Sequence, residues 1–246
     1  MSNDVKSLMR ADAKKLQPGD AHYSAYVGPP QHYDFMGASQ FRLLTTLGLR
    51  DHHRLLDFGC GSLRAGRLFI PYLLPGNYYG IEPNKWLIEE AIEKEVGRDQ
   101  IRIKQPHFSH NSDFDSRVFG VKFNFIVAQS IFSHCGADLI EAALAGFRDV
   151  LEDDGLVLAT FVHLGAAGLN EEFTDKGWAY PRCVAYRPET ILGFIRSAGL
   201  VGDWIPWRHW QDWYMIGRTR AALPHKSSFG HLTGVVLRDR ELSAGL

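Results

Sequence analysis

The sequence predicts an α/β domain: a mostly parallel sheet with an antiparallel last strand and helices on both faces. Three observations carry this. Short apolar segments of strand length alternate with amphipathic helical segments along most of the chain, the order that sandwiches a parallel sheet between helix layers. A strand ending at Phe58 turns into a helix through Gly59-Cys60-Gly61-Ser62, a junction whose backbone a ligand can approach closely. The last two strand segments, about 201–207 and 212–217, lie too close together for a crossover and form a hairpin, which reverses the final strand.

Residues 1–30 are polar and turn-rich and end in Gly28-Pro29-Pro30, an arm or loose cap. Residues 38–48 carry Phe41, Leu43, Leu44 and Leu47 at helical spacing, with Gly48 suited to the helix end. Arg54–Phe58 is the first strand. Residues 63–74 return to helical spacing, with Pro71 bending or ending that helix. After the turn Pro75-Gly76-Asn77, Tyr78–Ile81 is the second strand, and Lys85–Val96 is an amphipathic helix closed by Gly97. Around 100–110, Ile101 and Ile103 alternate as in a strand. Phe123–Gln129 is a buried strand. Ala137–Leu151 is a helix with Leu139, Ala142, Leu144 and Phe147 inward. Asp153-Asp154-Gly155 turns the chain into the strand Leu156–Val162, and Pro188–Ala198 is a helix with proline in its first turn and Gly199 past its end. No repeat or linker divides the chain. We read one domain over 1–246: an arm and cap helix (1–50), a core with the closing hairpin (51–217) and a tail (218–246).

Composition narrows the function. The 246 residues are 45% hydrophobic, with 27 basic and 28 acidic side chains, so disorder is excluded and no basic excess marks a nucleic-acid partner. No apolar run is long enough to span a membrane, and the N-terminal residues lack the apolar centre of a signal peptide. Cys60, Cys135 and Cys183 form no metal-ligand or disulfide pattern. A cytoplasmic protein with reduced thiols is expected.

The stretch from Leu55 to Gly66 is the most informative. Glu82, at the end of the second strand, stands 21 residues beyond Gly61, where a carboxylate can take both hydroxyls of a ribose. A nicotinamide dehydrogenase uses the same logic, but its fingerprint requires glycine where Arg64 stands. Asp57 beside the loop also repels a pyrophosphate and suits a cationic ammonium or sulfonium.

At these residues the sequence resembles the class I S-adenosylmethionine-dependent methyltransferases. Asp57-x-Gly59-x-Gly61 is similar to their acidic glycine loop, with the third glycine replaced, and Glu82 to their ribose acid. Residues 124–130 look like the fourth strand, Gly155–Phe161 like the fifth, and the helix 188–198 with the hairpin like the C-terminal signature. The resemblance covers about residues 50–217 and implies a Rossmann-like seven-stranded sheet with S-adenosyl-L-methionine as cofactor. It implies that Gly59, Cys60 and Gly61 lie under the cofactor's methionine part, and that Asp57 orients the loop or meets the amino group. Glu82 would hold the ribose. By the same resemblance Asp113 would be the adenine-edge acid, with Phe114 as ring neighbour and Asp115 nearly as good a choice; a turn-forming role for Asp113 fits equally. Gln129 and Ser130 would pass beneath the sulfonium. Arg64 would hold the cofactor carboxylate or an anionic substrate, or else be a solvated residue in the first turn of a helix.

Methyl transfer requires an aligned acceptor and often removal of its proton. His134, after the fourth strand, is the first choice as general base or acceptor-orienting residue, and His163, after the fifth, the second. His32 and Tyr33 could reach over the pocket if the arm closes as a lid. No metal is expected, although His134, Asp138 and Glu171 stand in the loops where clustered carboxylates hold magnesium in catechol-type relatives. The Asn/Asp-Pro-Pro-aromatic signature for methylating bases or glutamine is replaced by Ala128-Gln129-Ser130-Ile131. The expected reaction is O-methylation of a small hydroxylated molecule, a sugar or secondary metabolite. The alternatives are an N- or carboxyl-methyltransferase on a small molecule or protein, or a non-catalytic cofactor-binding partner protein. The expected partner is a small-molecule acceptor, without nucleic acid or membrane, in a possible homo-oligomer. Four of the six tryptophans, Trp204, Trp207, Trp210 and Trp213, crowd the closing hairpin: either a packed sheet edge or an aromatic wall for an acceptor or partner.

Overall fold

Residues 5, 8–207 and 210–232 are described by a computed structural model. Among them the strands are β1 (Leu55–Phe58), β2 (Tyr78–Ile81), β3 (His107–Ser109), β4 (Phe123–Ala128), β5 (Leu151–Phe161), β6 (Val201–Ile205) and β7 (Asp212–Gly217). They form one seven-stranded sheet in the order β3-β2-β1-β4-β5-β7-β6. The pairs from β3 to β5 are parallel, whereas β7 runs antiparallel to both β5 and β6. The order reverses at β1, which places a crevice beyond the carboxyl ends of β1 and β4.

The helices are α1 (Tyr23–Tyr26), α2 (Tyr33–Thr46), α3 (Gly66–Tyr72), α4 (Lys85–Ala91), α5 (Arg98–Lys104), α6 (Ala137–Val150) and α7 (Pro188–Ser197). One sheet face carries α6 and α7 through Ile140, Leu144, Phe147, Ile191 and Ile195. The other carries α2, α3 and α4 through Leu43, Leu44, Phe69, Ile70 and Ile88. Each such side chain adds roughly 1.5–3 kcal/mol on burial, so helices on both faces are needed to cover strands as apolar as β4. Among the described residues no helix is long and apolar enough to cross a membrane.

Several local expectations change. The cap helix begins at Tyr33, not at 38, because a 3-10 turn at Pro30–His32 leads into it and Tyr33 anchors its first turn in the core. Ile101 and Ile103 belong to α5, not a strand: Ile101 packs half-buried while Ile103 is exposed, and β3 begins only at His107. Asp153-Asp154-Gly155 is no separate turn. It is a register irregularity inside β5, whose Leu151 already pairs with Phe123. On α6 the inward residues are Ile140, Ala143, Leu144, Phe147 and Val150, whereas Ala142 is exposed and Leu139 only half-buried. The hairpin tryptophans divide: Trp207 and Trp213 are buried, while Trp204 and Trp210 are exposed. Of the expected tail, residues 233–246 lie outside the described residues.

Candidate active site

The loop after β1 is held from below. The amides of Gly59 and Cys60 both donate to Ile81 O (2.9 and 3.0 Å), and the Tyr33 hydroxyl donates to Ser62 O (2.8 Å). Gly59 and Gly61 have φ of 78° and 53°, which glycine adopts without a Cβ penalty. A Cβ on Gly59 would stand 2.1 Å from Ile131 Cδ1, and one on Gly61 2.7 Å from Val27 Cγ1. The upper surface of the loop is therefore bare backbone facing two flexible apolar side chains. The Cys60 thiol turns the other way, against Gly80, and burial pushes its pKa well up, so it is a packing thiol.

Two carboxylates flank this loop. Asp57 is buried and receives the Tyr78 hydroxyl at 2.8 Å. Burial pushes its carboxyl up to about 6, against the opposing pull of that hydrogen bond and of Arg64. Glu82 Oε1 accepts both the backbone and the side-chain amide of Asn84 (2.8 Å each). Burial raises its pKa too, while Asn84 and the Gly61 amide pull it back. His110 Nδ1 donates to Glu82 O at 2.8 Å, tying the loop after β3 to this point. Two buried acids beside one glycine loop favour a ligand bearing donors or positive charge.

Arg64 is buried and donates to Val27 O (2.8 Å), so here it fastens the arm onto the loop and is no solvated surface residue. Around this point Tyr26 packs between Trp86 and Tyr180 (centroids 5.3 and 5.8 Å), and the Tyr180 hydroxyl donates to Tyr26 O. The covering residues are thus Tyr26 and Val27. Tyr33 instead lies buried under the loop, with Arg10 and Arg67 against its ring, and His32 meets Trp210.

In the loop after β3, Asp113 is exposed and its Oδ1 accepts the Asp115 amide at 3.0 Å, the local turn role. Asp115 accepts from Arg117 through both backbone and side chain. Phe114 packs edge-on to Phe58 (5.6 Å) at the end of β1, so the ring, more than the acid, faces the glycine loop's strand.

At the end of β4, Ser130 takes φ of 60°, a left-handed conformation costly for a residue with a Cβ. Its amide donates to Thr160 Oγ1 (2.8 Å) and its hydroxyl to Gln211 Oε1 (3.2 Å). Gln211 Oε1 also accepts from Thr160 Oγ1 (2.6 Å), and its Nε2 donates to Ser133 Oγ (3.2 Å). Gln129 Nε2 points to Met36 Sδ (3.7 Å) on α2. Sequence reasoning missed Thr160 and Gln211, which are polar residues within apolar runs.

The two histidines differ. His134 is buried in the 3-10 turn after β4, and its Nδ1 donates to Arg182 O at 2.8 Å. That bond leaves Nε2 as the lone-pair nitrogen of a neutral ring, and burial lowers the pKa so the ring stays neutral. Tyr180, which holds the arm at Tyr26, lies edge-on to it at 4.9 Å. His163 has both ring nitrogens engaged, Nε2 with the Tyr214 hydroxyl (2.7 Å) and Nδ1 with Asp212 (3.3 Å). The contacts therefore join His134, and not His163, to the arm and glycine loop. Asp138 accepts the Gly177 amide (3.0 Å), and among the described residues no three metal-ligating side chains cluster.

Residues 56–157 match a family model described as a methyltransferase domain. A comparison with curated proteins finds no match. Among solved structures, the magnesium protoporphyrin IX methyltransferase of Synechocystis with bound S-adenosylhomocysteine is 14% identical, with a TM-score of 0.57 over 77% of this chain and 84% of that one. A sugar N-methyltransferase from Streptoalloteichus is 12% identical, with a TM-score of 0.55 over 75% and 88%. An amino pentose methyltransferase from Micromonospora echinaspora with bound S-adenosylmethionine is 14% identical, with a TM-score of 0.56 over 76% and 92%. At these identities the likeness is one of fold.

Proposed function

We propose that the chain is a class I S-adenosylmethionine-dependent methyltransferase, a reading supported by the matched methyltransferase-domain model and the shared fold, and that it methylates a hydroxyl of a small, neutral molecule. The residues fit the cofactor: glycine backbone without Cβ at Gly59 and Gly61, a buried carboxylate at Glu82 for a ribose diol, and a buried negative group at Asp57. When bound, the cofactor supplies an electrophilic methyl group on a sulfonium.

This chain's own residues do the rest. Ile131 and Val27, the neighbours of the loop's bare surface, cover the ligand and exclude water after a rotamer change at their flexible ends. Phe114, beside Phe58, offers an apolar ring face. Ser130, Thr160 and Gln211 hold the end of β4 in one geometry. His134 accepts the acceptor's proton at Nε2, while Arg182 O keeps Nδ1 protonated.

The buried, neutral, tautomer-fixed His134 is the observation that carries the O-methylation reading. A cytoplasmic setting and a small-molecule partner belong to the same reading, supported by the free cysteines and the balanced charge. The test is calorimetry with S-adenosylhomocysteine, followed by transfer of labelled methyl to a panel of neutral sugars, phenols, amines and carboxylates. O-methylated products that vanish in His134→Ala support it. Transfer confined to amines or carboxylates, undiminished in His134→Ala, overturns it. N-methylation is the second reading, favoured by the sugar N- and amino pentose methyltransferases that share the fold, and the same panel separates it.

A further inference from the structure

Segment 177–184 wraps across the connection between β4 and α6. Gly136 N donates to Gly177 O (2.8 Å), Gly177 N to Asp138 Oδ1 (3.0 Å), Ala179 N to His134 O (2.8 Å) and Val184 N to Ser133 O (2.8 Å). Trp178 makes a bridge to Cys135 within this clasp. A Cβ on Gly136 would come within 2.5 Å of Asp175 O, so the two backbones touch with no room for a side chain.

The backbone at Trp178 is thus pinned on both sides, yet the indole is 50% exposed. Its ring lies 5.7 Å from His134, 6.2 Å from Phe114 and 6.2 Å from Tyr180, near-parallel to the last. Trp204 and Trp210, the other exposed tryptophans, belong to the closing hairpin, where Trp204 donates to Asp212 and Trp210 meets His32. Trp178 alone combines an open face, a rigid backbone and the imidazole proposed as base.

We propose that Trp178 is the platform of the acceptor subsite, taking a neutral hydroxylated ring whose apolar face stacks on the indole while one hydroxyl reaches His134. The inference rests on the methyltransferase reading and deepens it by naming the acceptor's chemistry. A flat aromatic surface holds the ring by its C–H face or π-face without demanding charge, and the imidazole beside it takes a hydrogen bond only from a ligand at that height. Two charged side chains of the clasp already have contacts of their own, Asp138 accepting the Gly177 amide and the Arg182 guanidinium lying over Phe173 at 5.0 Å, and the face Trp178 offers is apolar.

The experiment is saturation-transfer NMR on protein saturated with S-adenosylhomocysteine, using methyl β-glucopyranoside, methyl α-rhamnopyranoside and guaiacol as probes. Wild type is expected to bind at least one probe with transfer strongest at the ring protons; the glycosides and the phenol distinguish a saturated from an aromatic ring. Trp178→Ala weakens that binding roughly tenfold, and Trp178→Phe restores most of it. In both variants the melting temperature and the S-adenosylhomocysteine affinity stay within twofold or a degree or so of wild type, roughly the margin expected for a surface substitution. Binding that persists in Trp178→Ala, or loaded wild type that binds none of the probes, overturns the proposal. Failure of wild type to bind S-adenosylhomocysteine overturns the methyltransferase reading beneath it, and this proposal with it.

Discussion

Gly37→Ala tests how closely the cap helix must sit on the glycine loop. In the interior of α2, alanine is intrinsically better than glycine by roughly 0.5–1 kcal/mol. The structure sets a larger opposing effect: the new Cβ would stand 2.3 Å from Arg64 O and 3.2 Å from Arg64 C, about 1 Å inside normal contact. The obstacle is backbone, and it cannot easily yield. Tyr33 holds Ser62 O, and the Arg64 side chain holds the arm at Val27. Overpacking of this kind costs roughly 1–3 kcal/mol or more, so the net destabilisation is about 1–2 kcal/mol, or roughly 2–8 °C in Tm for a chain of this size. Gly193→Ala is the control. It also lies inside a helix, α7, but a Cβ there meets nothing within 4 Å, so its Tm should rise by about 1–4 °C. Calorimetric melting of the three proteins decides the matter, and S-adenosylhomocysteine titration should show weaker binding in Gly37→Ala alone. A Gly37→Ala protein that melts at or above wild type refutes the reasoning.

Asp57→Asn should stabilise the unliganded protein at pH 8 and not at pH 4. The folded pKa of about 6 lies above the ordinary 3.8, so this group's contribution is full below 3.8 and lost as pH rises through 6, a loss of up to about 3 kcal/mol; a pH-independent change in Tm would sink this. Glu82→Gln should weaken S-adenosylhomocysteine binding roughly 10- to 100-fold by calorimetry, the worth of charge-assisted hydrogen bonds to a diol, and unchanged affinity would remove Glu82 from the ribose. His134→Ala should lower kcat by about 10²–10⁴ while leaving S-adenosylhomocysteine affinity within about twofold. Because burial lowers the His134 pKa below 6.5, wild-type kcat/KM should be flat at neutral pH and fall only below that value; an inflection above neutrality would point to another base.

The sheet was legible because strands buried on both faces, such as β4, must be continuously apolar, and because a glycine loop, an acid at Glu82 and a closing hairpin recur at fixed distances. Where local pattern was weak, tertiary contact decided. Ile101 and Ile103 alternate like a strand, yet the sheet edge is supplied by His107–Ser109, and α5 buries only one side of itself. Of the candidate site, Gly59, Gly61, Asp57 and Glu82 could be named from the loop's composition and spacing, and the structure brings them to one place. Residues placed by distant segments could not be so named. Tyr180 meets Tyr26 from 154 residues away in sequence, and Gln211 reaches Ser130 from the hairpin loop. Nothing in the spacing of a single chain announces such pairs. Asp113 shows the converse: its sequence context Asn-Ser-Asp already described a turn, and the turn is what its carboxylate makes.

The hairpin tryptophans and the strained end of β4 are parts of one device. Leu63, Phe114 and Ser130, with φ of 54°, 62° and 60°, stand in the loops that follow β1, β3 and β4, all on the edge that holds the candidate site. Each costs about 1 kcal/mol or more, and the buried Asp57 adds to the same edge. Such strain persists only where surrounding structure over-determines it. For Ser130 the restraints come from Thr160 on β5 and Gln211 just before β7. Gln211 is in turn carried by the hairpin, whose Trp213 and Trp207 are buried under α2, with Trp207 Nε1 donating to Ser39 Oγ at 2.9 Å. The large apolar surface of those two indoles therefore fixes a polar network that fixes one backbone conformation. That chain of restraint runs through the protein's own side chains, from two buried indoles through Gln211 and Thr160 to Ser130, and it holds the end of β4 in one geometry at the edge of the candidate site.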